Sequence, residues 1–174
     1  MNKVIIILIT FFAVNCSQTK QNKMTESKSK FDTEKLTEFA ISKITEFAKE
    51  HPNETFYGFS IDASLLCLNS EEEFQKTLKY YREKFGGYET EEQITDLRQN
   101  TGDWEYQGFA EFDKNSGFDM EEYNEHYHED EQFQLTSDYA KSMDLVVENL
   151  KKSGVFDLLK KTDDFYANQV EHNY

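Results

Sequence analysis

The residues with the greatest capacity for chemistry fall in three short stretches. His126-Tyr127-His128, followed by Glu129, Asp130 and Glu131, sets imidazole nitrogens beside carboxylate oxygens, the donor types that zinc or nickel takes. Residues i and i+2 point about 200° apart on a helix, so the two histidines converge only on a strand or a loop. A solvated acidic loop is the simpler expectation; no metal is assigned, and His126 and His128 are its weak candidates. In the second stretch, Asp103-Trp104-Glu105-Tyr106, carboxylates alternate with aromatics. On a strand, Asp103, Glu105 and Gln107 share one face, with carboxylates about 7 Å apart that could act as acid and base. The simpler reading is a core aromatic strand with a wet outer face. In the third stretch, Asp119, Glu121, Glu122, Glu125, Glu129, Asp130 and Glu131 occur with no Lys or Arg among them. Such a run repels anions and can steer a basic protein partner.

Other motifs are weaker. Asp113-Lys114-Asn115-Ser116-Gly117-Phe118-Asp119 spaces oxygens like a calcium loop, but Phe118 stands where the turn glycine is needed and Asn124 where the bidentate Glu belongs, so an ordinary turn is expected. The sequence has no nucleophile elbow, phosphate loop, paired zinc cysteines or His-Glu-x-x-His. Cys67 lies in an apolar segment, where a thiol is inert packing. With 34 Asp plus Glu against 19 Lys plus Arg, the chain carries −15 and lacks the basic footprint that nucleic acid requires. These observations favour a protein-binding module with an acidic surface, not an enzyme, and no cofactor. The alternative is a metal-dependent or carboxylate-based hydrolase-like enzyme using Asp103, Glu105, His126 and His128.

The start of the chain carries an address. Lys3 precedes the apolar run Val4 to Val14, broken only by Thr10, and polar sequence follows at once. As a helix, eleven residues rise about 16 Å, well short of a hydrocarbon core of roughly 30 Å, so the segment reads as a secretory signal and not as a membrane span. Ala13-Val14-Asn15-Cys16 resembles the lipobox of bacterial lipoproteins, with Asn15 in place of the usual small residue. Residues 1–15 are then a signal peptide and Cys16 the lipid attachment site, which implies a bacterial envelope protein held to a membrane. Residues 16–30, almost all small and polar, form a tether. Without residues 1–15, 18 bases face 34 acids, a charge of −16.

Residues 31–174 must supply the fold. Leu36, Phe39, Ala40, Ile44, Phe47 and Ala48 follow helical spacing after an Asp32 or Thr33 cap. A period of two over 55–61 puts Tyr57, Phe59 and Ile61 on one face and, with Leu65 to Leu68, predicts a hairpin. Ser70 with Glu73 and Thr90 with Gln93 spell capping boxes for two helices, the first stopped at Gly86-Gly87. Residues 103–112 predict a third, central strand with Trp104, Tyr106, Ala110 and Phe112 on one face. Tyr139, Met143, Val146, Val147 and Leu150 mark a late helix ending before Gly154. Val155 to Leu159 is a short apolar segment, and 165–170 predict a closing strand. Strands kept together and flanked by helices, without regular βαβ alternation, predict a single α+β domain with a small antiparallel sheet and several amphipathic helices.

Phe56-Tyr57-Gly58-Phe59, Leu66-Cys67-Leu68-Asn69-Ser70-Glu71-Glu72, Leu97-Arg98-Gln99-Asn100-Thr101-Gly102-Asp103-Trp104-Glu105-Tyr106 and Leu150-Lys151-Lys152-Ser153-Gly154-Val155-Phe156 together resemble the bacterial domain-of-unknown-function family 4303, over about residues 31–174. Gln99 departs from the aromatic expected after the Arg. The resemblance implies no activity, and it marks Arg98, Asp103, Trp104, Glu105 and Tyr106 as a candidate motif surface. A looser likeness to small immunity proteins of bacterial toxin systems makes toxin neutralisation the sharpest form of the binding reading.

Overall fold

A computed structural model of the chain describes residues 30–126 and 136–170. The expected signal, tether and Cys16, and the acidic residues Glu129, Asp130 and Glu131 with His128, lie outside the described residues. Among those described, no helix is long and apolar enough to cross a membrane.

The fold is α+β in one domain. Helix α1 (Thr33–Glu50) starts at Asp32, whose carboxylate accepts from the Lys35 amide. Strands β1 (Thr55–Asp62) and β2 (Leu65–Ser70) form the expected hairpin. Helix α2 (Glu71–Phe85) follows directly, with the Ser70 hydroxyl accepting from the Glu73 amide, and α3 (Glu91–Gln99) opens with a reciprocal Thr90/Gln93 capping box. A 3-10 turn (Thr101–Asp103) leads to β3 (Tyr106–Glu111) and then α4 (Met120–His126). Helix α5 (Asp138–Ser153) ends at Gly154, whose φ of 75° is the left-handed stop expected of glycine there. A 3-10 turn (Val155–Leu158) leads to β4 (Lys160–Val170).

The strand order is β3-β2-β1-β4, and β4 pairs with β1 in parallel. The sheet is therefore mixed and not the antiparallel one expected, because the chain returns to β1 through α5, a crossover, instead of a hairpin. The third strand lies at an edge and not at the centre. The closing strand also begins earlier than its apolar end suggests: Lys160 to Asp164 are polar and carry no alternation, as befits an edge.

Three layers result. One sheet face packs on α1 and α5, where Leu36, Ile44, Met143, Val146 and Leu150 meet Phe56, Phe59, Ile61, Leu66 and Leu68. The other face, under α2 and α3, holds Tyr57, Cys67, Phe74, Leu78, Leu97 and Trp104. Two expected face assignments change here. The pairing register slips between Phe56 and Gly58, which sends Phe56 to the first face and Tyr57 to the second, away from Phe59 and Ile61. Trp104 precedes β3 and packs on the second face, whereas Tyr106, Ala110 and Phe112 pack on the first.

Candidate functional site

On the second face, the segment 97–106 is built around one carbonyl. The Arg98 carbonyl oxygen accepts from the Tyr57 hydroxyl and from the Trp104 indole N–H, each at 2.9 Å. The Arg98 guanidinium lies 3.7 Å from the Tyr57 ring centroid and forks onto Glu71 with both terminal nitrogens, one at 2.8 Å, tying α3 to the first turn of α2. Asp103 accepts from the Tyr81 hydroxyl and from the Asn100 amide, the latter at 2.5 Å. That bond to Asp103 is the main reason the Tyr81 phenol is pushed up to about 12. Because Asp103 belongs to the 3-10 turn and β3 starts at Tyr106, the expected strand face of Asp103, Glu105 and Gln107 does not form. Glu105 is exposed. The motif residues thus divide: Arg98, Asp103 and Trp104 meet around the turn, while Tyr106 belongs to the opposite face.

Tyr106 belongs to a network that the sequence reading missed. Glu54 accepts from the Tyr106 hydroxyl at 2.7 and 2.8 Å, from the Ser70 hydroxyl at 2.7 Å and from His51 Nδ1 at 2.9 Å. His51 is stacked on Phe47, ring centroids 4.1 Å apart. Burial pushes the Glu54 carboxyl up, but the bonds from Ser70, Tyr106 and His51 outweigh it and hold the group below the usual glutamate value. Burial first, and then Glu54, push the Tyr106 phenol well above its ordinary range. Nothing in the spacing of His51, Glu54, Ser70 and Tyr106 announces this meeting, since it depends on the ends of α1, β1, β2 and β3 coming together.

A second feature lies between the 3-10 turn and β4. Gln99, Thr101, Trp104, Tyr166, Asn168 and Val170 line a cavity of about 270 Å³. Gly58 is its structural precondition: a Cβ there would come 2.9 Å from both Trp104 and Tyr166. Further along β1 on the same face, Ser60 and Asp62 are buried, and Thr101 donates to the Asp62 carboxylate at 2.7 Å. Ser60 Oγ, Asn69 Oδ1 and Tyr166 Oη are buried with no hydrogen-bond partner among the described residues. A sequence signal existed: Ser60 and Asp62 interrupt an otherwise apolar strand.

Of the acidic run, Asp119, Glu121, Glu122 and Glu125 are described. Asp119 accepts from the Glu122 amide at 3.0 Å, and Lys30 reaches Glu122 at 3.2 Å. Glu121 and Glu125 are exposed. Beside them, Phe31 and Phe118 floor a groove of about 900 Å³, with Asp32, Glu34, Asp119 and Glu121 on its walls against Lys30 and Lys114. The calcium-like stretch is a turn: Asp113 accepts from the Asn115 and Ser116 amides, and Phe118 is buried in the core. His126 closes α4, and its side chain lies outside the described residues. Cys67 is fully buried, and burial pushes its thiol up to about 12.

Residues 36–174 match the model of a family described as Domain of unknown function (DUF4303). No curated protein and no solved structure matches the chain.

Proposed function

Because the chain belongs to the DUF4303 family, whose description assigns no activity, we propose a function from the molecule's own surface: binding of a basic protein partner, from a position in the bacterial envelope held by lipid on Cys16. Neutralisation of a toxin is the sharpest form of this reading. The observation that carries it is the acidic edge formed by exposed Glu121 and Glu125 beside a groove whose walls hold four carboxylates and two lysines above an aromatic floor. A net charge of −15 raises the encounter rate with a basic partner. The carboxylate pair of the hydrolase reading does not share a strand face, since Asp103 is engaged by Tyr81 and Asn100 in the 3-10 turn, and its histidine pair lies outside the described side chains.

The test uses the full chain against the product of a neighbouring gene that encodes a basic protein. Association is expected to slow about tenfold between low and high salt, and to slow similarly in a Glu121→Lys, Glu125→Lys variant that melts like the wild type. Association indifferent to salt and to charge reversal overturns the reading. Membrane fractionation and intact mass beside Cys16→Ala test the anchor: an acylated mass beginning at Cys16, lost in the variant, is the expected result.

A further inference from the structure

Independently of any protein partner, we infer that the cavity between the 3-10 turn and β4 is a binding site for a single neutral sugar ring. Its lining supports this by elimination and by fit. Gln99, Thr101, Trp104, Tyr166, Asn168 and Val170 include no charged side chain. The carboxylate nearest in the hydrogen-bond network, Asp62, is itself buried behind Thr101, which donates to it. A charged ligand would have no counter-charge in the lining, since the Arg98 guanidinium that acts on Tyr166 is already forked onto Glu71 and is opposed there by Asp164, and an anion would also meet the repulsion of a chain at −15. A purely apolar ligand would leave the buried Tyr166 hydroxyl without a partner.

What remains is a neutral molecule with many groups that both donate and accept. The two side-chain amides each offer an acceptor oxygen and two donor hydrogens, which adjacent ring hydroxyls match. Tyr166 adds a phenol, neutral at physiological pH, that burial pushes up to about 12. Its oxygen is buried without a partner among the described residues, as is that of Ser60, which stands on the same face in register beside Asn168. Trp104 and Tyr166, ring centroids 6.3 Å apart and inclined at 63°, supply aromatic surface for the C–H face of a sugar. The indole is fixed by its bond to the Arg98 carbonyl, and Gly58 gives both rings room, so little ordering remains for binding to impose. A volume of about 270 Å³ lies just under the range for drug-sized ligands and suits one ring, not an oligomer.

Trp104 is the sole tryptophan of the chain, so the site contains its own fluorescent reporter. The full chain is titrated with glucose, galactose, mannose and N-acetylglucosamine, and with glucose 6-phosphate as the charged control. A saturable change in tryptophan emission with at least one neutral sugar is expected, weakened at least tenfold by Asn168→Ala and by Tyr166→Phe. Both variants are expected to keep the wild-type melting temperature, because Asn168 is exposed and the Tyr166 hydroxyl has no described protein partner to lose. No saturable response to any neutral sugar, undiminished affinity in both variants, or tighter binding of the phosphorylated sugar overturns the inference. None of these outcomes touches the acidic groove, which the salt and charge-reversal experiment tests alone.

Discussion

At the scale of single residues, Glu54 shows how a carboxylate becomes structural. Its acidity is held below the ordinary glutamate value, despite the burial that opposes this, by donors from Ser70, Tyr106 and His51. The stability it contributes is fully present above the unfolded glutamate value and is lost as the pH falls through the lowered folded one. Glu54→Gln is therefore expected to cost about 1.5–3 kcal/mol at neutral pH, the worth of hydrogen bonds to a charged group, and to flatten the loss of stability on acidification. Urea midpoints at neutral pH and at about pH 3 measure both effects; an equal acid drop in the variant would show that another carboxylate is responsible. None of this was legible beforehand. A hydrogen-bonding group is read from sequence by its type, whereas Glu54 owes its role to three partners contributed by the ends of other elements. Arg98, Glu71 and Tyr57 all stand in the motif blocks, yet their meeting was not legible, for the same reason.

At the scale of elements, helices were the most legible, because capping and period are local. Asp32, Ser70, Thr90 and Ser137 cap the helices that their positions announce. The first capping box is only half realised, however: Ser70 accepts from the Glu73 amide, but the Glu73 carboxylate turns to Lys76 at 2.6 Å. Strands were legible in existence and not in facing, since one slip in register exchanges the faces. The slips beside Tyr57 and between the Leu66 and Leu68 pairs, the latter near Gly108 at φ 67°, are not encoded by a period of two. Gly58 makes this concrete. Gly58→Ala drives a methyl to 2.9 Å from Trp104 and Tyr166, and an overpacking loss of about 1–3 kcal/mol is expected in chemical denaturation. A silent substitution there would mean that the two rings move apart freely.

At the scale of the whole molecule, the charge excess and the aromatic wealth evident in the composition divide by position: carboxylates line the outer groove, while two aromatic-rich cores sit on opposite sides of one sheet. Cys67, at the centre of the second core and with its thiol pushed up to about 12, reports on that arrangement. In a Cys16→Ala background it is the remaining thiol, and no reaction with a thiol reagent is expected below the unfolding transition, with labelling rising in step with unfolding measured by tryptophan emission. Labelling well before the transition would show that the layer of α2 and α3 opens on its own.

The parallel pairing of β4 with β1 also fixes an order of events. Thr55 lies opposite Lys160 and Asp62 opposite Val170, so β1 is synthesised long before the strand that completes its outer side. For a chain delivered progressively, from a ribosome or through a membrane channel, the hairpin emerges early but keeps one side of β1 without its neighbour until almost everything else has arrived. Such an order delays completion of the sheet. It also leaves β1 as the segment most open to mispairing with another copy during that interval.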